Sequence, residues 1–430
     1  MPDTVLVLFT RDLRVRDHPA LHEACERGST VVPLFVLDPD LLARSVNRAR
    51  FLLDSLRALD GELRRRGGRL VVRRGHVATE AAAVAREVRA GAVHLTADVT
   101  RTSAERLEIL RRTLPEVEIR TFPGSAVVEA GSIAPDGRVA YQRFTPYFHR
   151  WSEAPRRAVL PPPGRVPVPP AIDSDPLPTP PEGGAPALPE GGERAAWRRL
   201  DAFLERLERY DAERDRPDLA ATSGLSPYLR FGCLSPTELW ETCRGLPGAG
   251  AFLRQLAWRD FFRQLVSAHP ELTHRSLRPR ALAPEVPGGF DAWREGRTGL
   301  PFVDAAMRQL QREGAIHPRA RMVAAAHAAR DLHVPWQRGA RWFDELLVDG
   351  DPAVNAGNWQ WVAGVGADPR PGRRFNPARQ ARRFDPDGAY VRRYVAELRD
   401  VPAPLVHAPW TDRELLRRHG YPAPLGGMWP

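Results

Sequence analysis

The chain has 430 residues, a formal net charge of +10 and a sequence pI of about 10.3. That length exceeds what one hydrophobic core usually supports, so we expect two or three domains. The positive charge favours nucleic acid over an acidic protein surface as a partner, although every basic residue is arginine and part of the excess reflects codon bias.

Cysteine usage and hydropathy exclude several classes of protein. Cys25, Cys233 and Cys243 are far apart and show no CxxC spacing, which argues against a disulfide framework or a zinc site and for a reducing compartment. No other metal-ligand spacing is visible, so we predict no metal. No apolar run reaches about 18 residues and no signal region opens the chain, so we expect a cytoplasmic protein without a membrane partner, and a monomer by default.

Residues 1–130 alternate between strand-like and helix-like segments. Helical periodicity marks the segments 48–66 and 79–89. The predicted strands are 4–9, 30–37, 69–72, 92–96 and 117–121. This β–α–β rhythm predicts a Rossmann-like α/β domain, a parallel sheet with helices on both faces. Because no G-x-G-x-x-G follows the first strand, we expect no standard dinucleotide site there.

The rest of the chain divides into a connector and a helical domain. Residues 131–192 form the connector, because the 155–190 stretch is too rich in proline and glycine for a helix or a central strand. From residue 193 to 430 the pattern is helical, with almost no β-like alternation. Ten of the eleven tryptophans follow the connector, and indole at this density usually packs or stacks on something. We therefore predict the ligand site in an all-helical domain at 193–430.

The most informative stretch is Asp349-Gly-Asp-Pro-Ala-Val-Asn-Ala-Gly-Asn-Trp-Gln-Trp361. Asp351 is a good helix N-cap, and Pro352 then occupies the first helical position. Asn355 and Trp359 follow Asp351 at four-residue steps, so the three side chains share one helix face. An acid, an amide and an indole on one face suit a buried polar aromatic ligand such as a flavin. The alternative is an amphipathic helix with an ordinary cap.

Two further segments carry groups that bind phosphates or bases. The 222–227 segment, Thr-Ser-Gly-Leu-Ser-Pro, places hydroxyls and a glycine at a helix start, where they could bind phosphate oxygens or simply cap the turn. The 256–263 segment sets Trp258 beside Arg259. The guanidinium could pair with a phosphate while the indole stacks on a base, or both residues could belong to an amphipathic core helix.

A polar seam follows in the 304–322 region. Arg321 could pair there with a downstream carboxylate such as Asp349, and the alternative is a solvated surface ion pair, which contributes little stability. Trp336 is a further isolated indole, for which simple packing is the alternative to a functional role.

Several blocks follow one another in a specific order. Asp12-Leu-Arg14 comes after the first predicted strand and is followed by Asp17 and Leu21. From Tyr210 to about Pro402 the chain contains Thr-Ser-x-Leu-Ser, Trp-Arg-Asp-Phe, Thr-Gly-x-Pro-x-Val-Asp-Ala-Ala-Met-Arg-Gln-Leu, Asp-Gly-Asp, Asn-Trp-Gln-Trp and Phe-Asn-Pro. In this order the blocks resemble the DNA photolyase and cryptochrome family over nearly the whole chain.

The resemblance implies an antenna-type α/β domain, a long connector and an all-helical domain that binds FAD non-covalently. Asp349 would face the isoalloxazine and pair with Arg321, and Asn355 would contact flavin N5. The full set of residues that would hold FAD comprises Tyr210, Thr222, Ser223, Gly224, Leu225, Ser226, Arg259, Arg321, Asp349, Asp351 and Asn355.

The resemblance also implies the substrate. A cyclobutane pyrimidine dimer in DNA would flip into a cavity lined by Trp258, Met322 and Trp361, while Arg214 would contact a DNA phosphate. Light-excited reduced FAD would then donate one electron to the dimer, which would split and return the electron.

The supply of electrons to the flavin departs from the family pattern. Trp359 would pass electrons to photo-excited oxidised FAD, with Trp336 as the next hop. The third, outer tryptophan of the family has no counterpart, because residues 280–290 contain no tryptophan. We therefore expect photoreduction that is slow or that uses another route.

Other departures surround the substrate cavity. Gln255 stands where repair enzymes for these dimers usually carry a glutamate, and an amide can hydrogen-bond a pyrimidine but cannot lend it a proton. Ala315 and Pro318 replace a tryptophan and an asparagine. The segment 370–374, Arg-Pro-Gly-Arg-Arg, replaces a segment that normally supplies aromatic side chains. The residues that would hold flavin are thus intact, whereas those that would face the substrate are altered.

Our overall interpretation is a FAD-dependent enzyme with deoxyribodipyrimidine photolyase activity, a carbon–carbon lyase acting on DNA that contains pyrimidine dimers. Arg50 and Asp98 match positions used by relatives that bind an 8-hydroxy-deazaflavin antenna, which we favour over methenyltetrahydrofolate or an empty antenna site. The alternative function is a cryptochrome-like blue-light photoreceptor with little or no repair. A DNA-binding protein that has lost its flavin is the third possibility, and the intact Asp349, Asp351 and Asn355 argue against it.

Overall fold

A computed structural model of the chain describes residues 4–27, 30–281, 283–369, 375–403 and 405–425. It divides into two compact units. The first unit comprises Met1–Glu182, Pro189–Glu208 and Ser223–Pro270, and the second comprises Gly183–Leu188, Arg209–Thr222 and Glu271–Pro430. Part of the predicted helical domain therefore groups with the N-terminal residues. The functional limits at 1–130, 131–192 and 193–430 stay a prediction.

The described residues of the first unit contain a five-stranded parallel sheet with the strand order β3-β2-β1-β4-β5. The strands are β1 (Val5–Phe9), β2 (Val31–Leu37), β3 (Val71–Arg74), β4 (Ala92–Thr96) and β5 (Glu118–Phe122). Each predicted strand agrees with an observed one to within two residues at either end. The prediction of a parallel α/β sheet is confirmed.

Burial of the central strands explains why their sequences are almost wholly apolar. Every residue of β1 and β2 is buried, as expected for strands covered by helices on both faces. In register, Val5 lies opposite Val31 on one side and Ala92 on the other. The carboxyl ends of β1 and β4 therefore meet at one edge of the sheet, where loop residues of both strands come together.

The α-helices confirm the predicted helical character of the chain after the connector. In chain order they are α1 (Pro19–Glu26), α2 (Pro39–Ala43), α3 (Val46–Arg64), α4 (Val77–Glu87), α5 (Arg101–Thr113), α6 (Phe144–Glu153), α7 (Glu193–Leu204), α8 (Tyr210–Glu213), α9 (Ser226–Phe231), α10 (Pro236–Cys243), α11 (Ala249–Ala268), α12 (Gly289–Glu295), α13 (Pro301–Glu313), α14 (Pro318–Ala326), α15 (Trp336–Leu346), α16 (Pro352–Ala363), α17 (Pro377–Phe384), α18 (Ala389–Tyr394) and α19 (Arg413–His419). Beyond residue 122, the described part of the chain contains no strand. None of its helices combines the length and the apolar character needed to cross a membrane.

Aromatic side chains form the centre of the second unit. The Trp359 ring lies 5.0 Å from that of Phe343 and 5.9 Å from that of Trp293, both in edge-on arrangements. Trp293 and Phe343 stack on each other with their centroids 5.6 Å apart. These contacts fix helices α12, α15 and α16 around one core, because large aromatic pairs gain both buried area and favourable ring geometry.

Candidate functional site

Helix α16 begins as its sequence predicts. The Asp351 carboxylate accepts hydrogen bonds from the backbone N–H groups of Ala353 and Val354, at 2.9 and 3.1 Å, and Pro352 takes the first helical position. At the other end, Gly364 adopts a left-handed conformation with φ of 74°, which closes the helix. The cap is buried, so Asp351 sits at the positive end of the helix rather than in solvent.

The face of α16 that the spacing singled out packs against α15. Asn355 donates from Nδ2 to the carbonyl oxygen of Ala340 at 2.9 Å, and the Trp359 ring lies against Gly339. Within the described part of the chain, no donor contacts the side-chain oxygen of Asn355. That oxygen can therefore accept a hydrogen bond from a ligand.

Gly339 allows the close approach of these two helices. A Cβ atom at this position would overlap the Trp359 ring, so we expect Gly339→Ala to displace the ring and to lower the free energy of unfolding by about 1–3 kcal/mol. Thermal or denaturant unfolding measures the loss. Gly61→Ala is the matched control, because Gly61 also lies within a helix, in α3, and its Cβ would meet only the end of the Arg65 side chain at 3.9 Å. The free energy of unfolding of that variant should rise by up to about 1 kcal/mol, because alanine has a higher helix propensity than glycine. Equal effects of the two changes would contradict the steric explanation.

A partly buried ion pair joins α14 to the segment before α16. Arg321 Nη2 lies 3.2 Å from each carboxylate oxygen of Asp349, which confirms the predicted pairing. The Asp349 side chain is 9% exposed and that of Arg321 28%, so the alternative of a fully solvated pair is wrong. Within the described part of the chain, the buried Arg321 Nε has no hydrogen-bond partner. The pair thus retains an unused donor.

The start of α14 gives a local reason for one departure from the family pattern. His317 caps the helix by accepting the Arg319 N–H at Nδ1, and Pro318 fills the first helical position, where its fixed φ is favourable. Arg319 binds the Asp215 carboxylate through two nitrogens, at 2.7 and 3.2 Å, and stacks over the Phe384 ring. This arrangement orients the helix that carries Arg321.

Burial of His317 predicts a pH dependence of stability. Burial lowers the pKa of His317 to about 4 from its ordinary value of 6.5. Between these values the unfolded chain binds the extra proton and the folded chain does not, so stability rises with pH across this window. This pKa difference raises the free energy of unfolding by about 3 kcal/mol between pH 4 and 7. We expect His317→Asn, which keeps a good N-cap, to remove this part of the pH dependence in denaturant unfolding. An identical pH profile for both proteins would contradict the assignment.

Two family descriptions and several known proteins match the chain. The family description "DNA photolyase" matches residues 5–169, and "FAD binding domain of DNA photolyase" matches residues 252–427. The chain is 44% identical to a deoxyribodipyrimidine photo-lyase of Streptomyces griseus over 98% of its own length and 95% of that protein. The chain belongs to the DNA photolyase family.

Two solved structures show how widely this photolyase fold is shared. A bacterial class III photolyase from Agrobacterium tumefaciens matches with a TM-score of 0.91 and 32% identity, over 99% of this chain and 95% of that one. A Synechocystis sp. PCC6803 cryptochrome matches with a TM-score of 0.92 and 27% identity, over 99% and 97% of the two chains. A fold common to photolyases and cryptochromes does not decide the function, which the site residues must decide.

The second unit of this photolyase-family chain holds most of the predicted flavin residues. Its donor set fits a flavin, because the ring edge of a flavin offers both donors and acceptors to the Asn355 oxygen and the Arg321–Asp349 pair. Tyr210 is buried at the start of α8, and Thr222 is half-buried. The burial of these two residues does not test their roles, which stay predictions.

The predicted substrate and DNA residues of the second unit are partly exposed. Met322 and Trp361 are half-buried, and the Trp361 ring lies 6.4 Å from that of Phe375. Arg214 lies 3.5 Å from Asp211, at the end of α8. Ala315 is half-buried and Pro318 exposed. The departure at 370–374 lies outside the described residues.

The first unit holds the remaining residues of the predicted phosphate loop. In the loop, the Ser223 hydroxyl accepts the Leu225 N–H at 3.4 Å, and Gly224 adopts a positive φ of 64°. Helix α9 begins at Ser226 without a side-chain cap. Arg259, on α11, donates to the main-chain oxygens of Ser125 and Leu229, at 2.8 and 3.4 Å. These bonds stay within the first unit, and the phosphate-binding roles stay predictions.

Trp258 has a partner that the sequence reasoning missed. Phe144, at the start of α6, stacks face to face on the Trp258 indole with centroids 3.7 Å apart and an angle of 5°. Gln255 is exposed one turn earlier on α11. The signal was present, since Phe144, Phe148 and Trp151 recur at helical spacing and predict an aromatic face on α6.

The antenna candidates lie in the first unit. Asp98 follows β4 and binds Arg11 at 3.1 Å and Arg263 at 2.9 Å. Burial alone would raise the pKa of Asp98, but these two guanidinium groups hold it well below its usual range. Arg50 is half-buried on α3. Their role toward an antenna chromophore stays a prediction.

Proposed function

We propose that this chain is a FAD-dependent deoxyribodipyrimidine photolyase that splits cyclobutane pyrimidine dimers in DNA. The observation that carries the proposal is the Arg321–Asp349 pair next to the capped helix that presents Asn355 and Trp359. It is supported by the 44% identity to a protein named for this activity over nearly the full length of both chains.

The residues of the second unit would hold and polarise the cofactor. When bound, reduced FAD supplies the light-driven electron that opens the dimer. Asp349 and Arg321 would offer a carboxylate and a cation to the polar groups of the flavin, and the Asn355 oxygen would offer an acceptor fixed by the Nδ2 bond to Ala340. Tyr210 and Thr222 would contribute phosphate contacts, together with residues 223–226 and Arg259.

Aromatic residues would receive the lesion. A damaged base pair flips out at lower cost than an intact one, and a flipped pyrimidine then gains stacking energy on an indole. We assign this stacking to Trp258, whose ring Phe144 holds in one orientation, and to Trp361. Met322, in the second unit, would also contact the lesion, and Arg214 would neutralise a DNA phosphate.

Trp359 and Trp336 would return electrons to a flavin that has become oxidised. Both side chains are buried, at 2% and 5% exposure, which excludes water from the indole rings. Gly339, one turn after Trp336 on α15, lies against the Trp359 ring. The two indoles belong to the same hydrophobic core of the second unit.

A photoreceptor without repair activity is the second candidate function. Gln255, Ala315 and Pro318 favour it, because they remove a carboxylic acid, an indole and an amide from positions that the family uses toward the substrate. We prefer repair, because the match to a photolyase is closer in sequence than the match to a cryptochrome. We also propose a monomer in the cytoplasm, with an 8-hydroxy-deazaflavin antenna near Arg50 and Asp98.

Repair of a defined lesion tests the proposal. Purified protein, with its flavin chemically reduced, is illuminated with an oligonucleotide that contains one thymine dimer, and the restored oligonucleotide is quantified. Chemical reduction removes any dependence on electron supply through tryptophan. Repair in the light and none in the dark is the expected result. Bound FAD without repair would favour the photoreceptor, and protein without flavin would contradict both functions.

The substitution Gln255→Glu tests whether this departure limits repair. A carboxyl group can both hydrogen-bond the pyrimidine and lend a proton, so we expect the quantum yield of repair to rise about tenfold or less. The exposed position on α11 makes an effect on folding small. Gln311→Glu, an equally exposed change on α13, is the control and should leave repair unchanged. An unchanged yield in Gln255→Glu would indicate that Ala315 and Pro318, and not Gln255, limit repair.

A further inference from the structure

Trp336, at the outer end of the proposed electron path, contacts a hydroxyl group that no role yet explains. Trp336 is the first residue of α15, and its indole N–H donates to the Ser276 hydroxyl oxygen at 2.9 Å. Ser276 is half-buried, whereas the Trp336 side chain is almost completely buried. The bond therefore connects a buried indole to a residue that is partly exposed.

The segment that carries Ser276 is held rigidly by α16. Gln360, which directly follows Trp359, donates from Nε2 to the main-chain oxygens of Leu272 and Arg275 at 2.7 and 3.0 Å. Its Oε1 accepts the Leu277 N–H at 2.9 Å. Helix α16, which carries Trp359, thus also holds the segment on which the Ser276 hydroxyl lies.

A second indole near Trp359 lacks this arrangement. Trp293 lies 5.9 Å from Trp359, but it is fully buried and its N–H donates to the main-chain oxygen of Ala324 at 2.9 Å. A carbonyl oxygen accepts a hydrogen bond but has no proton to pass onward. A hydroxyl can accept from the indole and donate to water at the same time. Of these two indole bonds, the one from Trp336 offers the proton a route through a hydroxyl group.

We propose that Ser276 accepts the indole proton of Trp336 when Trp336 gives up an electron, and so acts as the proton exit of a shortened electron path. The inference rests on the proposed function, in which Trp359 and Trp336 supply electrons. Because residues 280–290 contain no tryptophan, Trp336 is the last indole of the path that the family pattern defines. The positive charge left by electron transfer therefore has to be neutralised at Trp336, because no outer tryptophan can take it over.

Oxidation of Trp336 is coupled to the loss of its indole proton. One electron passes from Trp336 to the oxidised Trp359, which makes the Trp336 N–H strongly acidic. The N–H bond breaks, its proton moves to the Ser276 oxygen, and the original hydroxyl proton leaves to water. A neutral Trp336 radical remains, and it cannot return to tryptophan by taking back the transferred electron alone, because it must also regain a proton. A soluble thiol later supplies one electron, and water returns the proton.

The hydrogen bond itself is tested without light. In ¹⁵N–¹H spectra of the purified protein, the indole signal that disappears in Trp336→Phe belongs to Trp336. We expect this signal to shift and its hydrogen exchange to accelerate in Ser276→Ala, and to stay close to the wild-type position in Ser276→Thr, which keeps the hydroxyl. His274→Gln, in the same segment but exposed, is the matched control. An unmoved signal in Ser276→Ala would overturn the proposal.

Flash spectroscopy tests the proton transfer. In Ser276→Ala we expect oxidation of Trp336 at an unchanged rate, but conversion of its cation radical to the neutral radical slowed by roughly tenfold or more, with a matching fall in the yield of stably reduced flavin. Ser276→Thr should stay within about twofold of wild type, because it keeps the group that carries the proton. The wild-type conversion should slow in D₂O. If the alanine variant is poorly folded, Ser276→Cys, which is close in size and a weak acceptor, replaces it.

The outcomes separate the inference from the function on which it rests. Unchanged conversion in Ser276→Ala, or no isotope effect in the wild type, would overturn the role of Ser276 alone. If Trp336→Phe left photoreduction unchanged, the electron path of the proposed function would be wrong and the inference would fail with it. Normal repair by chemically reduced protein in every variant would show that only electron supply is affected, as we expect.

Discussion

Replacing Trp359 with phenylalanine is expected to slow photoreduction of the bound flavin at least about tenfold, which corresponds to about 1.4 kcal/mol in the barrier. Phenylalanine fills most of the same space between Phe343 and Trp293 but is much harder to oxidise. The measurement follows the loss of oxidised-flavin absorbance under blue light with a soluble thiol as the final donor. Repair by chemically reduced protein should be preserved.

A matched control separates electron transfer from packing. Trp342→Phe changes a half-buried tryptophan that packs against the same core from α15, outside the Trp359–Trp336 pair. Trp342→Phe should leave the photoreduction rate unchanged. It should lower the free energy of unfolding by about as much as Trp359→Phe does. Equal slowing in both variants would mean that the loss comes from a disturbed core. Unchanged kinetics in Trp359→Phe would show that electrons reach the flavin by another path.

Removing the cation from the Arg321–Asp349 pair is expected to weaken flavin binding strongly. Arg321→Met leaves a 9%-exposed carboxylate without its partner, and an unpaired buried polar group costs about 1–3 kcal/mol. If the flavin ring depends on this pair, its dissociation constant should rise roughly ten- to a hundredfold. The flavin content of purified protein and titration of flavin-free protein with FAD measure the effect.

Another ion pair of the same unit provides the control for stability. Arg308, on α13, binds Glu397 through two nitrogens at 2.6 and 2.8 Å, so Arg308→Met also breaks a charged contact between elements. It should lower the unfolding temperature without changing the affinity for FAD. A normal flavin content in Arg321→Met, or a similar loss in Arg308→Met, would contradict the assignment of the Arg321–Asp349 pair to the cofactor.

Local patterns in the sequence determined most of the secondary structure. The five strands were predicted to within two residues, because short runs of β-branched and aliphatic residues between turn residues are typical of buried strands. Segments 48–66 and 79–89 correspond to α3 and α4, each of which begins and ends two residues earlier. The Asp351 cap followed from its own side chain and the proline after it. Such features depend on neighbours a few residues away, so one sequence is sufficient to find them.

Candidate site residues were found in part by physical reasoning and in part by resemblance. Spacing alone placed Asp351, Asn355 and Trp359 on one face, and charge complementarity suggested that Arg321 meets Asp349. The order of the family blocks supplied the flavin and the lesion, which no local pattern specifies. Whether Arg259 and the 222–226 segment bind phosphate stays a prediction that ligand binding must test.

Only the tertiary structure decided which residues support those side chains. Gly339 looks in the sequence like a glycine that weakens a helix, but it makes room for the Trp359 ring. Ser276 lies 60 residues before Trp336 and belongs to no motif, yet its hydroxyl receives the indole N–H. Phe144 reaches Trp258 from a different helix. The reason is physical: hydrophobic periodicity fixes which face of an element is buried, whereas the partner of each buried side chain depends on how distant elements pack together.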